Sequence, residues 1–426
     1  MINILFVITG IIFRFKNIFN EYYFSGELGK ELIFIRNIID TRSIPLIGMP
    51  TSHEWLYYGP LYYYIATPIV YLLKYDPFSL FYISFFVSLL GLLINYAVIK
   101  KVVNKNVAIY STVLVSLSPI FIWQTRLSKL HTFFFVLSPL LIYFLNKVWY
   151  KEKKYVFYTG IIYGLFFSFH FSQIPILITI VSILFLKRYQ IKDYLILFLS
   201  AALPNISLLL KDLLITVWLP YRALGFSQES SSQTIYSFNE FFGRLFFWDQ
   251  KLWIAGSLIS IIVIYIFVKQ FYKQKFSSFI VFYILSSTFV MFLSLILHRN
   301  PPLHYFLPIF SNVFLMLALL FDKVVKKESP FRYLIPIGLI LSNLYFFDAP
   351  KGDDYVPIAK QMGISKAIVA KNAGSSIRIV RIGPYDYFPE NYSQNYKYLI
   401  NYFGGRIDQN SGKEVIINDY ENINSK

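Results

Sequence analysis

The sequence predicts an all-α polytopic membrane protein of about eleven spans with a small extracytoplasmic α/β domain at its C-terminus. Three observations carry this. Hydrophobic residues make up 56% of the 426-residue chain and charged residues only 15%, with a mean hydropathy of +0.53. The apolar residues come in blocks, several of them reaching the roughly 18 to 20 residues that a bilayer crossing needs. The loops between the blocks are alternately short and basic, and long. A water-soluble chain carries roughly 25% charged residues, so this composition in water would leave large apolar patches bare.

Hydropathy places spans at 1–13, 78–99, 107–124, 132–146, 155–171, 174–186, 194–210, 252–268, 276–297, 305–321 and 333–347. The stretch 56–73 is apolar too, but Pro60, Pro68 and a run of tyrosines mark it as a helix at the membrane surface and not a crossing. The segment 1–13 has no basic start and no small-residue cleavage site, so it is expected to stay as a first span or signal anchor.

Lysine and arginine cluster in five short loops, around Lys100, Lys151, Lys187, Lys269 and Lys323, all on one side if the spans alternate. The positive-inside rule makes that side cytoplasmic. The formal net charge of +17 is then read as an orientation signal and not as a nucleic-acid footprint, so no nucleic-acid partner is expected. The absence of cysteine excludes disulfides, thiol nucleophiles and thiolate-bound metals.

The opposite, extracytoplasmic face receives the long segments 14–76 and 211–251 and the tail 348–426. Residues 1–347 form the membrane domain. The tail has soluble composition, with expected helices at 358–372 and 395–403 and strands at 377–382 and 414–417.

Polar chemistry gathers on the same face. His53, His131, His170, His298 and His304 all fall there, with Arg126, Lys129, Gln173 and Arg299. Polar groups at span ends are costly unless they serve a cavity or a partner. In the first long segment, Glu27 and Glu31 stand four residues apart, hence on one helix face, with Lys30 beside them. A carboxylate there suits general-base work on a hydroxyl and a lysine suits a phosphate, although a solvated helix face has the same pattern. The run Tyr57 to Tyr64, which includes Tyr62, supplies interfacial anchors or a sugar platform. No spacing signals a dedicated metal cluster.

The order of these pieces resembles the GT-C class of membrane glycosyltransferases, specifically relatives of dolichyl-phosphate-mannose–protein mannosyltransferase and of the lipid A aminoarabinose transferase. In that family the first long outer loop begins with Phe-Asp and an acidic or Gln residue, and many members continue Gly-Arg-Asp. Phe24, Glu27, Gly29, Lys30 and Glu31 are similar to a variant of this. Glu27 stands where the family has its catalytic Asp, Lys30 for Arg and Glu31 for the second Asp. The variant departs in having Glu for Asp and two extra residues after Phe24. Residues 46–52 and 59–64, Ser118-Pro119 through Arg126, Gly164 through His170 and Gln173, and His304 through Pro308 resemble further family elements in the same order.

The resemblance implies an inverting transfer from a polyprenyl-phosphate-sugar donor to a protein, lipid or glycan acceptor on the extracytoplasmic face. Glu27 would be the base, with Glu31 as neighbour or substitute. Lys30, Arg126, Lys129 and Arg299 would hold phosphate, and His131, His170, Gln173, His304 and Tyr62 would bind the rest of the donor. Some class members use a divalent cation, Mg or Mn, and others none. An O-antigen ligase or polymerase, or a transporter or flippase for a lipid-linked solute, are the alternatives. A transporter would need charges deep inside several spans, and the sequence has few.

Overall fold

The computed structural model describes residues 2–50, 57–211, 231–271, 278–298, 303–324, 329–347, 356–383 and 393–419. His53, Arg299 and residues 212–230 of the second long segment lie outside them, and of His298 only the backbone is described.

Each of the eleven predicted spans falls on an apolar helix. Six stretches are long and apolar enough to cross a bilayer: Ile2–Glu21, Ser79–Val102, Leu130–Trp149, Ile191–Leu210, Gln250–Phe271 and Leu303–Val324. A seventh is the bent pair Lys105–Leu117 and Pro119–Leu127. The others are shorter, among them Lys154–Phe169, Phe171–Leu186 and Leu334–Tyr345. The chain is thus an integral membrane protein with six or seven full-length spans among the described residues, against the eleven expected. Leu61–Leu72, the expected surface helix, has only 12 residues.

The third predicted span is broken. Pro119 cannot donate a backbone hydrogen bond, and it forces Ser118 into an extended conformation (φ −65°, ψ 129°), so the chain bends by 57°. A bend in a bilayer leaves carbonyls without partners, and each must be satisfied within the protein. Asn343 Nδ2 donates to Leu117 O at 2.7 Å, Trp248 Nε1 donates to Asn343 Oδ1 at 2.5 Å, and Ser118 Oγ donates to Leu245 O at 2.8 Å. Amides and hydroxyls also bridge helices elsewhere. Asn95 Nδ2 donates to Thr112 Oγ1, and Asn312 Nδ2 to Ser287 and Thr288 hydroxyls.

The chain folds as two compact units. The first comprises Met1–Phe13, Phe86–Gln124 and Leu130–Phe347, and is the helical membrane body. Its tightest seam joins the helices Lys154–Phe169 and Ile191–Ala202. Gly160 and Gly164, four residues apart, let the backbones touch, as small residues do in membrane helices. A Cβ on Gly164 would sit 2.2 Å from Ala201 O, and one on Gly160 would sit 2.5 Å from Leu197 O. Asn205 Nδ2 closes the seam by donating to Gly164 O at 2.8 Å.

The second unit comprises Arg14–Phe85, Thr125–Lys129 and Asp348–Lys426. The tail, expected as a domain of its own, groups here with the first long outer segment. Its elements are the helices Ile358–Lys371 and Gln394–Tyr402 and three parallel strands, β1 (Ser376–Ile382), β2 (Arg406–Ile407) and β3 (Glu414–Asn418), in the order β2-β1-β3. Registers are Ser376 to Arg406 and Arg378 to Glu414. Ile377, Ile379 and Ile417 on the sheet pack with Tyr396 and Ile400 on a helix. The helices and both longer strands match the sequence reading. Only the two-residue β2 is new.

The glycine seam is testable by thermal unfolding in detergent. Gly164→Val forces the two backbones apart and is expected to cost about 1–3 kcal/mol or more, seen as a lower midpoint. Gly338→Ala, where an added Cβ meets nothing within 4 Å, is expected to leave the midpoint unchanged or slightly raised.

Candidate functional site

The second unit holds the acidic pair. Its helix Gly26–Thr41 begins at Ser25, whose hydroxyl accepts from the Leu28 amide at 3.4 Å. The helix ends at Arg42, in the left-handed region at φ 52°. One face of the helix is buried through Leu28, Gly29, Glu31, Leu32 and Ile35. Gly29 makes this possible, because a Cβ there would lie 2.5 Å from the backbone of Gln394 and Asn395 in the tail. Gln361 Nε2 donates to Phe24 O at 3.1 Å and Asn395 Nδ2 donates to Gln361 Oε1 at 2.8 Å, so tail side chains hold the loop leading into this helix.

Glu27 and Glu31 share a face, as their spacing predicts, but their surroundings differ. Glu27 sits in the first turn, where the helix dipole favours an anion, and pairs with Lys129 Nζ at 2.5 Å. Its side chain is 41% exposed. Glu31 is 4% exposed, with Tyr62 Oη at 3.4 Å from its Oε2. Burial first, and then the Glu27 carboxylate, push Glu31 up to about 8, against the smaller pulls of Lys129 and Tyr62. Burial alone would lower the Lys129 ammonium, but the attraction of Glu27 and the hydrogen bond to it outweigh burial and hold Lys129 above its usual value. At neutral pH the group is therefore a neutral acid at Glu31 beside a cation at Lys129. Lys30, one residue before Glu31, is half-buried on the same helix.

Arg126, expected to hold phosphate, is fully buried, and its Nη1 donates to Arg14 O at 3.1 Å and Lys16 O at 2.7 Å. Backbone carbonyls thus take the donors of Nη1, and Lys129, three residues on, faces Glu27.

In the first unit the structure collects three of the predicted donor-binding residues. His131 lies in the 3-10 turn Leu130–Phe133, His170 ends the Lys154–Phe169 helix, and His304 lies in the 3-10 turn Leu303–Ile309. His131 and His304 stack at 4.1 Å between ring centroids, and His170 Nε2 is 3.2 Å from His304 Nε2. Gln173 is fully buried and its Nε2 donates to Ser172 Oγ, which contacts His170 Nδ1 at 2.8 Å. Sequence reading placed these residues on one face but found no cluster among them. No spacing motif signals it, because 134 residues separate His170 from His304.

The comparisons with known proteins point in the direction of the resemblance. The model of the dolichyl-phosphate-mannose–protein mannosyltransferase family matches residues 58–211, a stretch that contains Tyr62, Arg126, Lys129, His131, His170 and Gln173 and stops short of the acidic helix. Among solved structures, ArnT from Cupriavidus metallidurans bound to undecaprenyl phosphate is similar with a TM-score of 0.56 at 9% identity, over 87% of this chain and 66% of that one. AglB, the archaeal oligosaccharyltransferase from Archaeoglobus fulgidus in complex with an inhibitory peptide and a dolichol-phosphate, has a TM-score of 0.56 at 12% identity over 95% of this chain and 63% of that one. The Archaeoglobus fulgidus oligosaccharyltransferase in complex with Zn and sulfate has 0.55 at 13%, over 96% and 62%. The chain spans 62% to 66% of the length of these structures. At such identities the likeness is one of fold. No curated protein matches the sequence.

The raised Glu31 sets a pH dependence of stability. The folded state holds this proton more tightly than the unfolded chain does, whose carboxyl has the ordinary value of 4.5. The cost of a buried charge is therefore absent below 4.5, grows as the pH rises, and is complete above about 8. Glu31→Gln removes it. The variant is expected to unfold at the wild-type temperature at pH 4.5 and several degrees above wild type at pH 9, by thermal scans across that range.

Proposed function

We propose that the protein is a membrane glycosyltransferase that moves a sugar from a polyprenyl-phosphate donor to an acceptor hydroxyl or amide on the extracytoplasmic face, with inversion at the anomeric carbon. The observation that carries this reading is the division of labour between two carboxyls on one helix face: Glu27, exposed and paired with Lys129, and Glu31, buried and holding its proton at neutral pH.

In this reading Glu27 is the general base. It is the accessible carboxylate and sits in the first turn of its helix. As it takes the acceptor's proton, the acceptor oxygen or nitrogen bonds to the anomeric carbon. The bond from that carbon to the phosphate oxygen breaks, and polyprenyl phosphate leaves with the electron pair. A protonated Glu27 attracts Lys129 less strongly, and the Lys129 ammonium can then turn to the departing phosphate. Glu31 stays neutral and places no second negative charge beside the phosphate. Tyr62 holds its carboxyl in place. The three histidines and Gln173 are further donor-binding candidates. No step needs a nucleotide-sugar motif. The undecaprenyl phosphate on ArnT and the dolichol-phosphate on AglB support a lipid-phosphate ligand of this kind, and the inhibitory peptide on AglB is compatible with a protein acceptor. The five basic loops of the sequence support the extracytoplasmic placement of this unit.

Transfer from a panel of polyprenyl-phosphate-linked sugars by the purified protein tests the reading. Glu27→Gln is expected to lower kcat by about 10²–10⁴-fold with donor binding retained, the range for loss of a general base. Glu31→Gln is expected to keep most of the activity, because it mimics the neutral acid. If Glu31→Gln is the dead variant and Glu27→Gln is active, the roles are reversed within the same enzyme class. If the wild type binds no polyprenyl phosphate at all, the reading falls.

A further inference from the structure

We propose that His131, His170 and His304 form a binding site for one divalent transition-metal ion of the zinc type. Three separate segments of the membrane body deliver these imidazoles to one place, and one ligand nitrogen from each lies within 4.8 Å of the others. His131 and His170 are buried and His304 is half-buried. The neutral imidazole nitrogen is the form that metals bind.

The spacings suit an ion. Two imidazole nitrogens on one tetrahedral zinc, each about 2.0–2.1 Å from the metal, stand about 3.3–3.4 Å apart. His170 Nε2 and His304 Nε2 are 3.2 Å apart. The His131 nitrogen lies within 4.8 Å of both. The surroundings suit an ion too. A metal-bound imidazole commonly donates its other N–H to a fixed acceptor, which orients the ring. With an ion on Nε2, His170 keeps its proton on Nδ1 and donates it to Ser172 Oγ at 2.8 Å, and Gln173 Nε2 holds that oxygen from the other side at 2.8 Å. The Ser172 amide, 3.1 Å from Nδ1, suits the other tautomer, in which His170 donates Nε2–H to His304. Ion and shared proton are therefore alternatives at the same pair, and binding an ion shifts the His170 proton from Nε2 to Nδ1.

The donor set chooses the metal. A group of three imidazoles and no carboxylate selects zinc, cobalt, nickel or copper over magnesium, calcium or manganese. Three protein ligands leave a fourth tetrahedral position open.

The test uses the full-length protein, purified without a polyhistidine tag or chelator. Elemental analysis is expected to find about one zinc-type ion per chain. Metal-depleted wild type titrated with Co(II) is expected to develop the visible absorption of a tetrahedral nitrogen-ligated site, and Zn(II) is expected to displace it and raise the unfolding temperature. Single variants His131→Gln, His170→Gln and His304→Gln are each expected to weaken Co(II) binding by about tenfold or more and to lose the zinc-dependent rise. The wild-type titration stands even if a variant misfolds. A metal-depleted wild type that takes up neither Co(II) nor Zn(II), or an ion that all three variants keep at wild-type affinity, overturns the proposal.

Discussion

A helix that stops inside a folded chain leaves its last carbonyls without intrahelical partners, and around the buried Arg14 and Arg126 the protein itself keeps water from replacing them. At the end of the first helix, Arg126 makes good this deficit by donating to Arg14 O and Lys16 O. A fully buried guanidinium is tolerable only when fixed acceptors take its donors, so the contact holds both partners firmly. Lys129 follows three residues later in the same segment, and its ammonium reaches Glu27 from there. Without the arginine the chain would have no fixed exit from the bent helix, and the position of the cation opposite the acidic helix would be undefined. Gly29, Gln361 and Asn395 do the same for the other partner, by fixing the acidic helix on the tail.

Much of the fold could be read from pattern alone. The apolar blocks, the helix from 26 to 41 and the longer elements of the tail all rest on local periodicity, and local periodicity survives folding. Ser118-Pro119 was visible as a motif, but its effect on the span was not drawn from it. The bend depends on whether a distant side chain can satisfy the freed Leu117 carbonyl, and Asn343, which donates to it, and Trp248, which holds Asn343, are not neighbours in sequence. The two-residue β2 has no pattern long enough to read. Gly160 and Gly164 carry the small-residue spacing of membrane helix contacts, so that seam had a signal that went unused.

The candidate site divides in the same way. The shared face of Glu27 and Glu31 follows from helix geometry. The raised proton affinity of Glu31 does not, because it comes from a burial that only the folded chain creates, with Tyr62 set beside the carboxyl. Arg126 and Lys129 had equal claims to a phosphate on charge alone. Only their partners separate a backbone clamp from an exposed ion pair. The histidines were singled out by depth, and their convergence is a fact of tertiary packing.

The kink at Ser118 also bears on how the chain is made. Its partners come from far downstream: Leu245, whose carbonyl accepts from the Ser118 hydroxyl, lies 127 residues after Ser118, and Asn343, which donates to Leu117 O, lies 226 residues after Leu117. While ribosomes are still delivering the later helices, this turn has no intramolecular cover and must be sheltered by the insertion machinery, by lipid headgroups or by water drawn into the membrane. Helices handed over one at a time therefore do not reach a finished state in the order of their synthesis. The body can close around this segment only when the Leu334–Tyr345 helix arrives.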